Sequence, residues 1–445
     1  MDPGAQPRWR NGAHRSMNPD GGLAWLFPAL AVLVWLGVPT YAAIVRGRLY
    51  ATFSAVLLTF ALPAALLLHA RLRLLVPEVL TTRIDLAFAY SMAAAGLQFA
   101  HLVRARMRSS VFRWAVSIPG QTFIAAGMLA GPWLLILFPF RIAFDAFGWT
   151  EVLAFWTLLE ALPIFVSLAS ILNSVSARPE TVRFALSRQG PERIARVPVE
   201  RIYGKVPAPP VPQLLRIVQL TDTHLGPWQS VSRLRRRIAA LVEREPDLVA
   251  LTGDFLTMES MGSPGCLEEA LAPLGPIADR CVAIFGNHDH EAPEHVIEAM
   301  ATLGIRLLID EEAAFDTPVG PVQVLGADFV GRGHREHLGD LLTRHPRRDG
   351  HLRLLLLHDP VGFHALPEDD VDLVLSGHTH GGQVGLVSLG LDWTVLSRSR
   401  WPDQGLFARG SSRLYVHRGT GFYGFPLRVG VPPEHSVLEI AWRPA

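Results

Sequence analysis

Thiols and lysines are almost missing from this 445-residue chain. Its two cysteines, Cys266 and Cys281, stand outside any C-x-x-C pattern, which excludes a disulfide framework and a thiolate zinc site. One bridge between them or two free thiols remain open, and Cys281, which opens an apolar run, reads as a core residue. Lys205 is the only lysine among 41 basic residues. We read that arginine preference, with the abundance of alanine and proline, as genomic bias. A formal net charge of +1 and no basic patch interleaved with aromatics exclude a general pull towards nucleic acid.

Long apolar runs are abundant, and they are confined to the first 175 residues. Polar residues 1–21 read as a disordered arm. Runs at about 22–45, 50–70, 84–103, 115–140 and 148–173 each reach the roughly 20 residues that cross a hydrocarbon core, so residues 22–175 read as a membrane domain of five transmembrane helices. Charge is scarce within them. Glu160, in the middle of the fifth run, is a functional candidate on that ground, against the simpler reading of a carboxyl hydrogen-bonded inside the bundle; Pro163 is positioned to kink the helix. Arginines gather on the side of the chain that holds Arg46, Arg48, Arg104, Arg106, Arg108, Arg113 and the region after 177. By the positive-inside tendency that side, with the C-terminal domain, is cytoplasmic.

Residues 176–213 turn polar and read as a linker carrying an edge hairpin, ending in the proline-rich stretch 205–212. From 214 to 445, strand-like and helix-like patterns alternate. A helix opened by a Ser230 cap is expected over 230–245, its arginines facing solvent, and another over 293–303. Five apolar runs stop at residues able to hold a metal. Residues 214–220 lead into Asp222 and His224, 247–252 into Asp254, and 281–285 into Asn287, His288 and Asp289. Residues 352–357 lead into His358, and 371–376 into Gly377, His378 and His380. Such runs read as buried parallel strands. An oxygen and imidazole donor set without sulfur suits Mn, Fe or Zn in a reactive site rather than a structural zinc.

The order D-x-H, G-D, G-N-H-D, H, G-H-x-H resembles the calcineurin-like metallophosphoesterase superfamily. The segments Thr221-Asp222-Thr223-His224, Gly377-His378-Thr379-His380-Gly381-Gly382-Gln383, Val416 to Gly421 and Pro426-Leu427-Arg428 are most similar to its YkuE-like branch. Membrane-tethered members resemble the whole chain. Two departures lie outside the ligand positions: Thr221 where serine is common, and Asp359 where asparagine is common. The resemblance implies an α-helical transmembrane bundle followed by an α/β metallophosphoesterase domain, a two-sheet β-sandwich flanked by helices. It implies two divalent metal ions, one held by Asp222, His224 and His380, the other by Asn287, His358 and His378, with Asp254 shared. It also implies His288 as the catalytic histidine that is no ligand, and a shared hydroxide attacking a phosphomonoester, phosphodiester or pyrophosphate. Asp289 is expected to orient His288.

Tethering at the bilayer adds a lipid-linked phosphoester as the expected substrate. The alternative from another class is a membrane-bound ligand-sensing protein that uses the fold for binding; the complete donor set, with its extra histidine, counts against it. A transporter is disfavoured by the scarcity of charge in the spans. His290, His295, His334, His337, His345 and His364 fit no motif position and are expected at the surface. His417 and Asp328 are outlying candidates for the site.

Overall fold

The computed structural model describes residues 23–177, 179–186, 189–204, 214–422, 424–425 and 427–442. The polar arm at 1–21, the linker stretch 205–212 and Pro426 lie outside the described residues. The first half is helical: α1 (Leu26–Val45), α2 (Arg48–Leu75), α3 (Glu78–Leu102), α4 (Ser110–Ala146) and α5 (Thr150–Val175). All but α3 are long and apolar enough to cross a membrane. Of the five expected spans, four meet that measure among the described residues. The difference has a physical reason: α3 is packed among α1, α2 and α4, and buries Asp85 and Gln98 inside the protein, so it needs less lipid-compatible surface.

Outward faces of the other helices expose Leu33, Leu36, Phe60 and Leu135, whereas inward faces bury Phe27, Leu58, Met92 and Ile124 together. The buried charges are paired. Glu160 contacts Arg71 at 2.5 Å and Arg141 at 3.0 Å, and Asp85 contacts His69 at 2.8 Å and Arg73 at 2.9 Å. Glu160 thus has the bundle partners that the structural reading of this residue required. Helix α5 breaks at Ala161, and Pro163 starts its second half.

The second half is a sandwich of two seven-stranded mixed sheets. Its strands are β1 (Pro179–Ala185), β2 (Ala195–Val197), β3 (Glu200–Tyr203), β4 (Leu214–Leu220), β5 (Leu248–Leu251), β6 (Cys281–Ala283) and β7 (Arg306–Leu307). They continue with β8 (Glu311–Thr317), β9 (Gly320–Gly326), β10 (Leu352–Leu356), β11 (Leu373–Ser376), β12 (Gly405–Arg409), β13 (Ser412–Val416) and β14 (His435–Ala441). One sheet runs β3-β1-β14-β4-β5-β6-β7 and the other β2-β12-β13-β11-β10-β9-β8. Ile217, Leu248, Val282, Leu354 and Leu375 fill the space between them. Helices α6 (Val231–Val242), α7 (Cys266–Leu271) and α8 (Pro293–Leu303) cover the first sheet, and α9 (His334–Arg344) the second. Both cysteines are free.

Residues 179–203, expected as a linker hairpin, are integral to the sandwich. β1 pairs antiparallel with β3 but also parallel with β14, over Pro179–Ala185 against His435–Ala441. Glu180 on β1 is buried between Arg201, at 2.9 Å, and Arg418. A sequence-local pattern cannot reveal a partner that lies some 250 positions away. On α6, Ser230 makes no capping hydrogen bond from its side chain. Arg237 turns inward, donating to the Thr420 carbonyl at 2.8 Å and to the Val175 carbonyl at 2.9 Å.

The bundle sits directly against the sandwich. Gln98 donates to Glu259 at 3.0 Å, the Met107 amide to Ser263 at 2.7 Å, and Asn173 to the Arg428 carbonyl at 2.6 Å. The Trp228 indole donates to Gln121.

Candidate metal centre

Parallel pairing of β4 with β5, β5 with β6, and β10 with β11 aligns their carboxyl ends. Those ends carry the sequence-predicted residues, and the two sheets deliver them to one place. Gln219 on β4 donates to the Ser376 carbonyl on β11 at 3.0 Å. The His378 amide, just past β11, donates to both oxygens of Asp222 at 3.1 and 3.0 Å.

Gly377 makes this approach possible, because a Cβ there would lie 2.1 Å from the Thr221 hydroxyl and 2.3 Å from Asp222 Oδ2. At Gly286 a Cβ would lie 2.2 Å from Asp254 Oδ1. Backbone strain gathers here too. Of the nine described non-glycine residues with positive φ, five are Asp222, His224, Asp254, His378 and His380, a concentration characteristic of functional sites.

Two groups of ligand-type side chains stand side by side: Asp222, His224 and His380, and Asp254, His358 and His378, the ligand atoms within each lying inside 4.8 Å. In the first, Nε2 of His224 and Nε2 of His380 are 3.1 Å apart, and Nε2 of His380 is 3.3 Å from Asp222 Oδ1. Asp254 Oδ2 joins the groups, at 3.7 Å from His224 and 3.3 Å from His358. Asn287 completes the second through its Oδ1, 2.9 Å from Nδ1 of His378. All seven predicted ligands are thereby brought together.

The donor chemistry fits divalent cations. Nδ1 of His358 faces the Thr252 carbonyl at 2.7 Å, which leaves Nε2 pointing at the Asp254 carboxylate without a well-formed hydrogen bond. Burial pulls the His358 imidazole down, yet the carboxylate beside it pushes it up to about 10. That buried nitrogen is set against an anion, a place for added positive charge. Burial holds His224 and His378 down at about 4 and His380 well below its ordinary value; neutral imidazole is the ligating form. Burial pushes Asp222 up to about 6, against the pull of His358. Asp254 is buried too, but positive charge on His358 and His224 holds it well below the usual range.

His288 lies at the rim, its ring centroid 5.7 Å from that of His224. Its amide donates to Asp254 at 2.9 Å, and Nδ1 faces Glu291 at 3.0 Å. Glu291, rather than Asp289, therefore orients the ring. Asp289 is buried and accepts the amides of Asp254, Phe255 and Gly286 at 2.7, 2.8 and 2.9 Å, which fixes the loop after β5 to the loop after β6.

Among the outlying candidates, Asp328 faces His290 at 2.9 Å. His417 is fully buried and accepts the Gly419 amide at 3.0 Å. His337 faces Asp310 at 2.7 Å and, with His295, His334 and His345, is half-buried rather than at the surface; His290 and His364 are exposed.

Sequence reasoning assigned no role to Arg428. Its guanidinium, fully buried, donates to Nδ1 of His380 at 3.1 Å and to the His380 carbonyl at 3.2 Å. Its own amide is held by Ser174 of α5 at 3.2 Å. Membrane helix and candidate ligand thus meet on one residue; the only signal was its place in a familiar tail segment.

The sequence profile of the calcineurin-like phosphoesterase family matches residues 215–382. The phosphodiesterase YaeI of Escherichia coli strain K12 is 30% identical over 231 residues, covering 51% of this chain and 82% of YaeI. The uncharacterized metallophosphoesterase YkuE of Bacillus subtilis is 30% identical over 241 residues, covering 51% of this chain and 78% of YkuE. A transmembrane protein with metallophosphoesterase domain from Danio rerio is 28% identical over 339 residues, covering 68% of this chain and 72% of that protein. That match is longer than the sandwich alone, so it reaches into the helical half.

Proposed function

The chain belongs to the calcineurin-like phosphoesterase family and is a metal-dependent phosphoric ester hydrolase, and from that premise we propose a multi-pass, membrane-anchored enzyme with two divalent cations that cleaves phosphoesters of lipid-linked substrates. The observation that carries the reading is Asp254, whose Oδ2 stands between two ligand groups of complementary composition. Asp222, His224 and His380 would hold one cation and Asn287, His358 and His378 the other, with Asp254 shared; Mn, Fe and Zn suit these donors. When bound, such a pair would supply neutralisation of phosphoryl oxygens and activation of water as the nucleophile.

The protein's own groups do the rest. His288, oriented by Glu291, donates a hydrogen bond to the phosphoryl group or a proton to the leaving oxygen. Asp289 holds Asp254 in register through its amide. The sandwich meets the bundle at the Arg46, Arg104 and Arg108 end, which the positive-inside tendency assigns to the cytoplasm.

Hydrolysis of an aryl phosphodiester with Mn²⁺ by the full-length protein tests this. Asp222→Asn is expected to abolish turnover, and His288→Ala to lower kcat by about 10²- to 10⁴-fold with metal content retained. Wild-type rates in either variant would reject the assignment.

A further inference from the structure

The wall of the candidate centre nearest the membrane is built partly by the membrane helices. A narrow cleft of about 60 Å³ runs from His224 between Trp228 and Glu259 of the sandwich and Phe53, Gln98 and Gln121 of the bundle. Glu259 is buried, with Gln98 on one oxygen and the Thr257 hydroxyl on the other at 3.0 Å each. The throat is therefore lined by polar and aromatic side chains together.

Near it, between the bundle helices, lies a much larger, open-sided cavity of about 420 Å³, bounded by Leu68, Phe88, Phe123, Ala126, Ile164 and the half-exposed Leu168. Its lining is apolar. Of the hydroxyls that border it, Thr122 is turned to the Ile118 carbonyl at 2.7 Å. Cleft and cavity are neighbours along two helices. On α4, Gln121 lines the first while Thr122 and Phe123 line the second. On α3, Gln98 and Ser91 do the same seven residues apart, roughly 10 Å of helix.

We propose that the cavity receives one hydrocarbon chain of an amphiphilic phosphoester, with the polar group that joins chain to phosphate passing through the Gln98–Glu259 cleft. This rests on the phosphoesterase reading and adds the place and chemistry of the substrate's apolar part. A water-soluble phosphoester has no use for an apolar chamber inside the bundle, and a bulk bilayer lipid has no use for a polar throat that ends at His224. Their adjacency along α3 and α4 favours a molecule that is both.

The test uses the full-length protein in detergent micelles with Mn²⁺ and two p-nitrophenyl phosphodiesters that differ only in the second ester, methyl or hexadecyl. The ratio of kcat/KM, hexadecyl over methyl, is measured for wild type and for Ala126→Leu, which fills the cavity. The ratio is expected to fall at least tenfold; an unchanged ratio overturns the inference. Should the variant fail to fold, photolabelling of the wild type with a hexadecyl phosphodiester bearing a diazirine at the chain end decides. Adducts within 118–127 and 164–171 support the site, and adducts confined to the outward face around Leu135 and Ile136 overturn it. If wild type cleaves neither ester, the phosphoesterase reading fails, while the photolabel still reports on the chain site.

Discussion

Replacing Asp289 by alanine should destabilise the sandwich more than any other single change beside the candidate centre that spares the ligands. The carboxylate is fully buried and accepts three main-chain amides, at 2.7, 2.8 and 2.9 Å. A hydrogen bond to a charged group contributes about 1.5–3 kcal/mol, and a buried donor left without a partner costs about 1–3 kcal/mol. The three amides share one acceptor, so their losses do not simply add, and a total of about 3–6 kcal/mol is expected. For a unit the size of the sandwich that corresponds to a fall in Tm of roughly 6–24 °C. Asp289→Asn keeps one acceptor oxygen and should lose about half as much. The assay is thermal unfolding of the detergent-solubilised protein, with and without EDTA. Because the amides belong to the loops themselves, the loss should persist when metal is stripped. A variant within about 1 kcal/mol of wild type, or a deficit that vanishes in EDTA, would refute this account of Asp289.

Two other predictions concern the parts of the fold that sequence patterns hid. A fragment beginning at Leu214 loses β1, β2 and β3, exposes the edge of β14 and leaves Arg418 without Glu180; it should aggregate on expression, and a soluble, monodisperse fragment by size-exclusion chromatography would contradict the role given to β1. Glu434 is buried, which pushes its carboxyl up, but the charges of His417, Arg418 and Arg201 hold it well below its ordinary 4.5. A depressed folded-state value means stability that is complete above about pH 4.5 and lost as pH falls further. The destabilisation caused by Glu434→Gln should therefore be largest near neutrality and shrink below pH 4.5 in acid-unfolding curves; a difference that grows in acid would have the wrong sign.

The centre was legible because each ligand sits at the end of a short apolar run, and parallel strands align such ends whatever their spacing in the chain. Thus Asp222 and His378, 156 positions apart, come within 3.0 Å along the backbone amide. What the sequence hid are contacts whose partners carry no periodic signal. Gln98, a polar residue within the third apolar run, is the bundle's hydrogen bond to Glu259. Arg428 was legible only as part of a familiar tail segment and is the support of His380. Asp289 sat beside His288 in the chain, and adjacency suggested the wrong partner, since its carboxylate turns back to the loop amides while Glu291, one helical turn on, reaches the ring. α3, which falls short of a spanning composition, packs among three other helices while Leu86, Tyr90 and Leu97 stay exposed.

The central claim is that Asp254 is shared by two cations. Anomalous diffraction from crystals of the full-length protein grown with Mn²⁺ tests it most directly. The account predicts two peaks about 3.5 Å apart flanking the Asp254 carboxylate, both absent in Asp254→Ala. A single peak, or peaks that survive the loss of Asp254, would contradict it.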